Sequence, residues 1–251
     1  MSYGSAGRFG IGTPQANPTV EAEMGILLPR NCTLSVTRLT SVATDPLQRL
    51  HDYLSQLKQS LRSYDTLRPD AFGFACTGSS YLLGAAEERR LVGTASSAGG
   101  YPVETAARAI IWALERLRAR RIALVAPYPQ ELVDAGVRYW TAAGIEIART
   151  VRIATPGDDT RGIYCLADDV LAAPLAQLRH DDVDAILISG TGLPSLAAIH
   201  GFAGGPPVVS SNLCLAARLL DVAGDRAQLQ HGAEFIRDWP QRLAEALAPR
   251  V

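Results

Sequence analysis

Short apolar runs alternate along the chain with longer stretches whose apolar residues recur every three or four positions. A short apolar run bounded by turn formers fits a strand buried on both faces, and the longer period fits a helix with one buried stripe. This pattern predicts strands over residues 9–13, 33–39, 71–75, 121–126, 145–153, 183–188 and 207–210. It predicts helices over 45–63, 103–117, 131–143, 193–200 and 213–222. Asp45 and Pro46 suit an N-cap and first helical position, and Gly144 suits a helix stop. Strands that alternate with helices imply an α/β fold with parallel sheet covered on both faces.

The pattern also repeats. One strand ends at Thr13-Pro14-Gln15, and a later one runs into Cys76-Thr77-Gly78-Ser79. In the second half a strand ends at Ala126-Pro127-Tyr128, and a later one runs into Ser189-Gly190-Thr191-Gly192. The separations are 62 residues from Pro14 to Cys76 and 63 from Pro127 to Gly190. The chain therefore reads as two βαβ-type halves related by a pseudo-twofold. Residues 1–118 form the first half, 119–212 the second, and 213–251 are expected to pack back on the first. Open parallel sheets bind ligands beyond the carboxyl ends of their strands. All four motifs lie at such ends, so the expected active site is the cleft between the halves.

Bulk properties narrow the function. The formal net charge is −1, which gives no electrostatic draw toward nucleic acid or anionic lipid. No apolar run approaches the roughly 20 residues that span a bilayer. The opening residues lack the apolar core of a secretory signal, so a cytoplasmic location is expected. Cys32, Cys76, Cys165 and Cys214 lie far apart with no CxxC pair, a spacing that suits neither a zinc site nor a disulfide framework. There is no GxxxxGK[ST] loop, no GxGxxG after the first strand and no GxSxG elbow.

Cys76 follows an apolar strand and precedes a helix start. A thiol there faces free backbone N–H groups and the positive end of the helix dipole, which is expected to favour thiolate. The same N–H groups, with the hydroxyls of Thr77, Ser79 and Ser80, suit a carboxylate. Gly190, Thr191 and Gly192 form the twin loop without a thiol. Asn17 offers a donor and an acceptor to a carboxylate, or forms an Asx turn before Pro18. Tyr128, between two prolines, suits donation to a carboxylate or an enolate, or an aromatic lid on the core. None of His51, His180, His200 and His231 adjoins these motifs except His200, several residues down its helix.

Together these motifs resemble the maleate cis-trans isomerases. Pro14, Asn17 and Glu21 are similar to their opening P-x-x-N-x-x-x-E, Cys76-Thr77-Gly78-Ser79 to their first cysteine motif, Pro127-Tyr128 to their proline–tyrosine pair, and Val208 to Asn212 to a late strand. The wider group is the aspartate/glutamate racemase superfamily, which includes arylmalonate decarboxylases. The resemblance spans roughly residues 8 to 222. It implies two Rossmann-like halves around a small carboxylic or dicarboxylic acid, with no metal or organic cofactor, and leaves room for a homo-oligomer. It makes Cys76 the nucleophile and Tyr128 its catalytic partner, with Pro14, Asn17, Thr77, Gly78, Ser79, Gly190, Thr191 and Gly192 binding substrate.

The second family cysteine falls at Gly190, so the chain departs from the two-thiol pattern. The family's second asparagine has no match near residues 158–161. One thiol suits an isomerase acting on a small unsaturated acid. It also suits an arylmalonate-type decarboxylase in which Cys76 donates a proton. A racemase, or an acid-binding protein without activity, fits less well.

Overall fold

A computed structural model describes residues 3–157, 159–224 and 232–248. The first half opens with β1 (Gly7–Pro14), α1 (Thr19–Leu27), β2 (Cys32–Leu39), α2 (Pro46–Ser55), α3 (Leu57–Ser60) and a 3₁₀ turn at Leu61–Tyr64. It continues through β3 (Ala71–Phe74), α4 (Thr77–Gly99), β4 (Val103–Thr105) and α5 (Ala106–Leu117). The second runs β5 (Arg121–Ala126), α6 (Gln130–Ala142), β6 (Glu146–Arg152), 3₁₀ turns at Thr160–Cys165 and Asp168–Leu171, α7 (Ala172–Leu178), β7 (Ala185–Ile188), α8 (Leu196–Gly201) and β8 (Val208–Ser210). Helices α9 (Ser211–Ala223) and α10 (Gly232–Leu247) follow.

The strands form two four-stranded parallel sheets, ordered β2-β1-β3-β4 and β6-β5-β7-β8. The orders correspond strand for strand, so the repeat seen in the sequence is a repeat of topology. In each sheet the two central strands are buried on both faces, as Phe9, Ile11, Phe72 and Phe74 show in one and Ile122, Leu124, Ile186 and Ile188 in the other. Helix α9 lies along α5 and against β3, and α10 packs on α1, α9 and α8. Among the described residues no helix is long and apolar enough to cross a membrane.

Three expected elements differ. The helix predicted over 45–63 starts as expected, with Asp45 accepting from Gln48 N at 2.6 Å, but breaks at Gln56 into α2, α3 and a 3₁₀ turn. Leu54, Leu57 and Leu61 stay buried across the break, so the period survives where the helix does not. Residues 103–105 are strand, because Val103 pairs with Phe72 and the Thr105 hydroxyl caps α5 by accepting from Arg108 N at 3.1 Å. Ser210 does the same for α9, accepting from Leu213 N at 3.3 Å. The helix expected from residue 193 begins at Leu196.

Candidate functional site

Strand β3 delivers Cys76 to the N-cap of α4, in an extended conformation. Ser79 Oγ donates to Cys76 Sγ at 3.2 Å, and the backbone N–H groups of Gly78 and Ser79 lie near the sulfur without closing a cap hydrogen bond on it. These donors favour thiolate, as the sequence predicts, yet the net effect is the reverse. Burial pushes the Cys76 thiol above its ordinary value, because loss of hydration outweighs the Ser79 hydroxyl and the nearby N–H groups. The resting sulfur is therefore a thiol. The helix it caps is short at this end, since Gly84 at φ 76°, ψ 161° interrupts α4.

The twin loop follows β7. Thr191 Oγ1 donates to Ala75 O at 2.8 Å, so the second half closes on the residue before Cys76. Asn17 Nδ2 donates to the same hydroxyl at 3.3 Å, while Asn17 Oδ1 accepts from Thr19 N at 2.9 Å. The turn expected of Asn17 is thus present, and its amide ties the two halves together. Pro14 ends β1 and its carbonyl accepts from Asn17 N at 2.9 Å. Thr19 Oγ1 donates to Gly192 O at 2.8 Å. Ser211 Oγ accepts from both Thr77 Oγ1 and Gly190 N, each at 3.0 Å. The cysteine loop and its thiol-free twin therefore meet on one oxygen atom, as the pseudo-twofold requires.

Tyr128 stands at the end of β5, buried, with the side chains of Ser189 and Thr77 near its hydroxyl. Burial, reinforced by the neighbouring Cys76, raises its phenol far above the ordinary value, so it stays a proton donor at any working pH. Gly190 has φ +115°, and a Cβ there would lie 3.3 Å from Tyr128 Oη and from Pro127 Cγ. Of the residues expected at the site, Pro14, Asn17, Cys76, Thr77, Gly78, Ser79, Tyr128, Gly190, Thr191 and Gly192 share this junction. His200 meets Trp239 edge-on instead.

Several neighbours gave no signal in the sequence. Tyr53 on α2 and Tyr164 in the Thr160–Cys165 turn both lie within electrostatic reach of Cys76, and burial raises both phenols. Tyr164 packs on Gly192, where a Cβ would stand 2.5 Å from its ring. Glu23, rather than the motif's Glu21, is the buried carboxylate of α1. It accepts from Ser195 N at 2.6 Å, Leu196 N at 3.1 Å and Asn212 Nδ2 at 2.7 Å, and Asn212 Nδ2 also donates to Thr191 O at 3.0 Å. Glu21 pairs with Arg38 at the surface. The one hint of Glu23 was its place one turn into a helix after an Asn-Pro pair. Among the described residues no three His, Cys, Asp or Glu side chains form a cluster that could hold a metal ion.

Comparison with known proteins places this geometry among enzymes. The family model described as arylmalonate decarboxylase matches residues 13–234. The maleate isomerase of Nocardia farcinica is 28% identical over 205 residues, covering 77% of this chain and 80% of the relative. The structure of the Nocardia farcinica maleate cis-trans isomerase, a cysteine-to-serine mutant with a covalently bound succinylcysteine intermediate, superposes with TM-score 0.75 at 25% identity, covering 86% of this chain and 91% of that one. A glycine-to-cysteine, cysteine-to-serine double mutant of arylmalonate decarboxylase shares the fold, with TM-score 0.73 at 22% identity over 90% and 95% of the two chains. The resemblance read from the motifs and the expected two-sheet α/β architecture are both borne out.

Proposed function

The chain belongs to the arylmalonate decarboxylase family, and from that premise we propose that it is a cofactor-independent cis-trans isomerase of a small unsaturated dicarboxylic acid, working through the single thiol of Cys76. One observation carries the reading: Cys76 Sγ sits at a helix N-terminus beside the Tyr128 phenol, with glycine where a second thiol would stand. Cys76 sulfur adds to one carbon of the C=C bond, and the π pair moves onto the other carbon and its carboxylate. The resulting enolate is the strongest base in the cleft, and it takes the proton that the sulfur gives up. The former double bond is now single and turns. The proton then returns to sulfur, the C–S bond breaks and the double bond re-forms in the other geometry. Nothing is oxidised or reduced. Tyr128 and the backbone N–H groups around Thr77 and Thr191 hold the charge that develops on the carboxylate.

Decarboxylation of a malonate-type acid is the second reading, and the protonated resting state of Cys76 favours it, because a thiol is the form that delivers a proton to an enediolate. Against it stands the polarity of the walls. Loss of CO₂ is promoted by a dehydrated, apolar pocket around the leaving carboxylate. Here the phenols of Tyr53 and Tyr164 flank the thiol. A racemase acting by two bases needs an acid on each face, and Gly190 supplies none. The substrate is a free acid in the cytoplasm, where thiols stay reduced, and Cys32, Cys76, Cys165 and Cys214 are all unpaired.

The test offers maleate and a 2-aryl-2-methylmalonate in parallel, following fumarate by NMR and CO₂ release. Fumarate formation that Cys76→Ser abolishes supports the isomerase. CO₂ release without fumarate replaces it with the decarboxylase.

A further inference from the structure

Two segments distant in sequence, α2 and the Thr160–Cys165 turn with its Asp159 cap, bring charge and hydroxyl groups to one side of the thiol. Arg49 on α2 has a side chain only 4% exposed, and its guanidinium bonds Asp159 Oδ1 at 2.5 Å, across the junction of the halves. The same guanidinium donates to Thr44 O at 2.7 Å, and Tyr53 lies one turn further along α2, buried and within electrostatic reach of it. Asp159 in turn caps the Thr160–Cys165 turn, accepting from Arg161 N at 2.9 Å, and also binds the Arg161 guanidinium at 2.7 Å. That turn carries Tyr164, whose ring packs against Gly192 of the twin loop. Among the described residues no side chain or backbone group hydrogen-bonds to the Tyr164 hydroxyl, and it lies within electrostatic reach of Tyr53, Tyr128 and Cys76. Two guanidinium groups against one carboxylate leave a net positive charge behind the two phenols.

The phenols of Tyr53 and Tyr164 are donors beyond Tyr128 and the loop N–H groups named so far, backed by Arg49 and Arg161. We infer that Tyr53 and Tyr164 receive the carboxylate remote from the carbon that Cys76 attacks, and so select a dicarboxylic over a monocarboxylic acid. The inference rests on the functional reading above only in taking the substrate to be an acid bound beside Cys76. A dicarboxylate would place one carboxylate at Tyr128 and the other at this wall, with its central carbons over the sulfur. A monocarboxylate would leave two phenols and a positive charge without a partner, the asymmetry by which polar sites reject substrates that lack a group.

The test is calorimetric binding of two saturated acids that Cys76 cannot add to, succinate and butyrate, to the wild-type chain, Tyr53→Phe, Tyr164→Phe and the double variant. Phenylalanine keeps the ring and its packing, and a thermal melt of each variant confirms the fold. Each single change is expected to weaken succinate at least about tenfold, the scale for one hydrogen bond to a charged group. Butyrate affinity should stay unchanged. Gly192→Ala, which drives the Tyr164 ring away, should copy Tyr164→Phe. If the wild type fails to bind succinate, if succinate and butyrate weaken together, or if the double variant keeps wild-type succinate affinity, the inference is overturned. Should the chain show this succinate dependence yet leave maleate unchanged, the isomerase reading falls and the dicarboxylate wall stands. Should it isomerise maleate with tyrosine variants that bind succinate normally, the wall falls alone.

Discussion

Tyr128 Oη lies 3.3 Å from the point where Gly190 would carry a Cβ. The side that lacks a thiol thus presents a phenol, one whose proton is held firmly by burial. The pair defines a site with one nucleophile and one fixed donor.

Tyr128→Phe removes that donor while keeping the ring that packs edge-on against Tyr81 at 6.1 Å. Turnover should fall by about 10²-fold, the scale for losing one preorganised donor to a developing anion, with the melting temperature little changed. Steady-state kinetics on the active substrate decide it, and a loss under about threefold, well short of that scale, would return Tyr128 to a packing role.

Cys76→Ala and Cys76→Ser should abolish activity and leave the fold intact. Cys32→Ser and Cys165→Ser should keep most activity, as these residues are half-buried and exposed. Cys214 is different. It is buried in α9 with its thiol pushed up to about 12, so serine there sets a hydroxyl in the core and should cost about 1–3 kcal/mol of stability. Activity assays beside urea unfolding separate the two effects.

From the sequence, Gly190→Cys reads as a simple restoration of a second acid on the opposite face. The structure argues otherwise. At φ +115° a side chain is strained whatever space surrounds it, and this Cβ also crowds Tyr128 and Pro127. The expected result is a loss of about 1–3 kcal/mol in stability and no α-carbon deuterium exchange, read by denaturant melts and NMR in D₂O. Exchange at a substantial rate would mean that the loop relaxes to accept the thiol.

Thiol labelling should follow burial. Iodoacetamide at pH 7 should modify exposed Cys165 first and Cys76 slowly, because burial holds Cys76 in its thiol form. Cys76 labelling should speed up as pH rises toward its raised value. Mass spectrometry of timed digests follows each site, and rapid Cys76 labelling at pH 7 would show a thiolate at rest.

The Asp159 carboxylate gives an acid-side signature. Against burial, which raises it, the Arg161 guanidinium and N–H first and Arg49 second hold Asp159 down to about 2 in the fold, against an ordinary 3.8. A depressed carboxylate contributes stability that is present in full above its unfolded value and disappears as pH falls through the folded one. Between pH about 4 and about 2 the wild type should therefore lose more stability than Asp159→Asn, and the two unfolding midpoints should converge toward pH 2. Parallel curves would mean that the contacts of Asp159 with Arg161 and Arg49 contribute nothing.

The sequence by itself determined the alternation of strands and helices, the duplication into two halves, the four strand ends that meet, and the family. Each of these is written in local terms: a residue period, a proline at a strand end, a spacing repeated at 62 and 63 residues. Only the tertiary structure decided the character of the site. Whether Cys76 rests as thiol or thiolate depends on how much water the rest of the chain removes from it, and that burial overrides the local helix N-terminus. Gly190 reads as a missing cysteine until its φ and the Tyr128 hydroxyl beside it are seen. Tyr53, Tyr164, Arg49 and Asp159 carry no motif, because their meeting is a property of two halves folding onto each other, and pairing across 110 residues, as in Arg49 with Asp159, leaves no period in the chain.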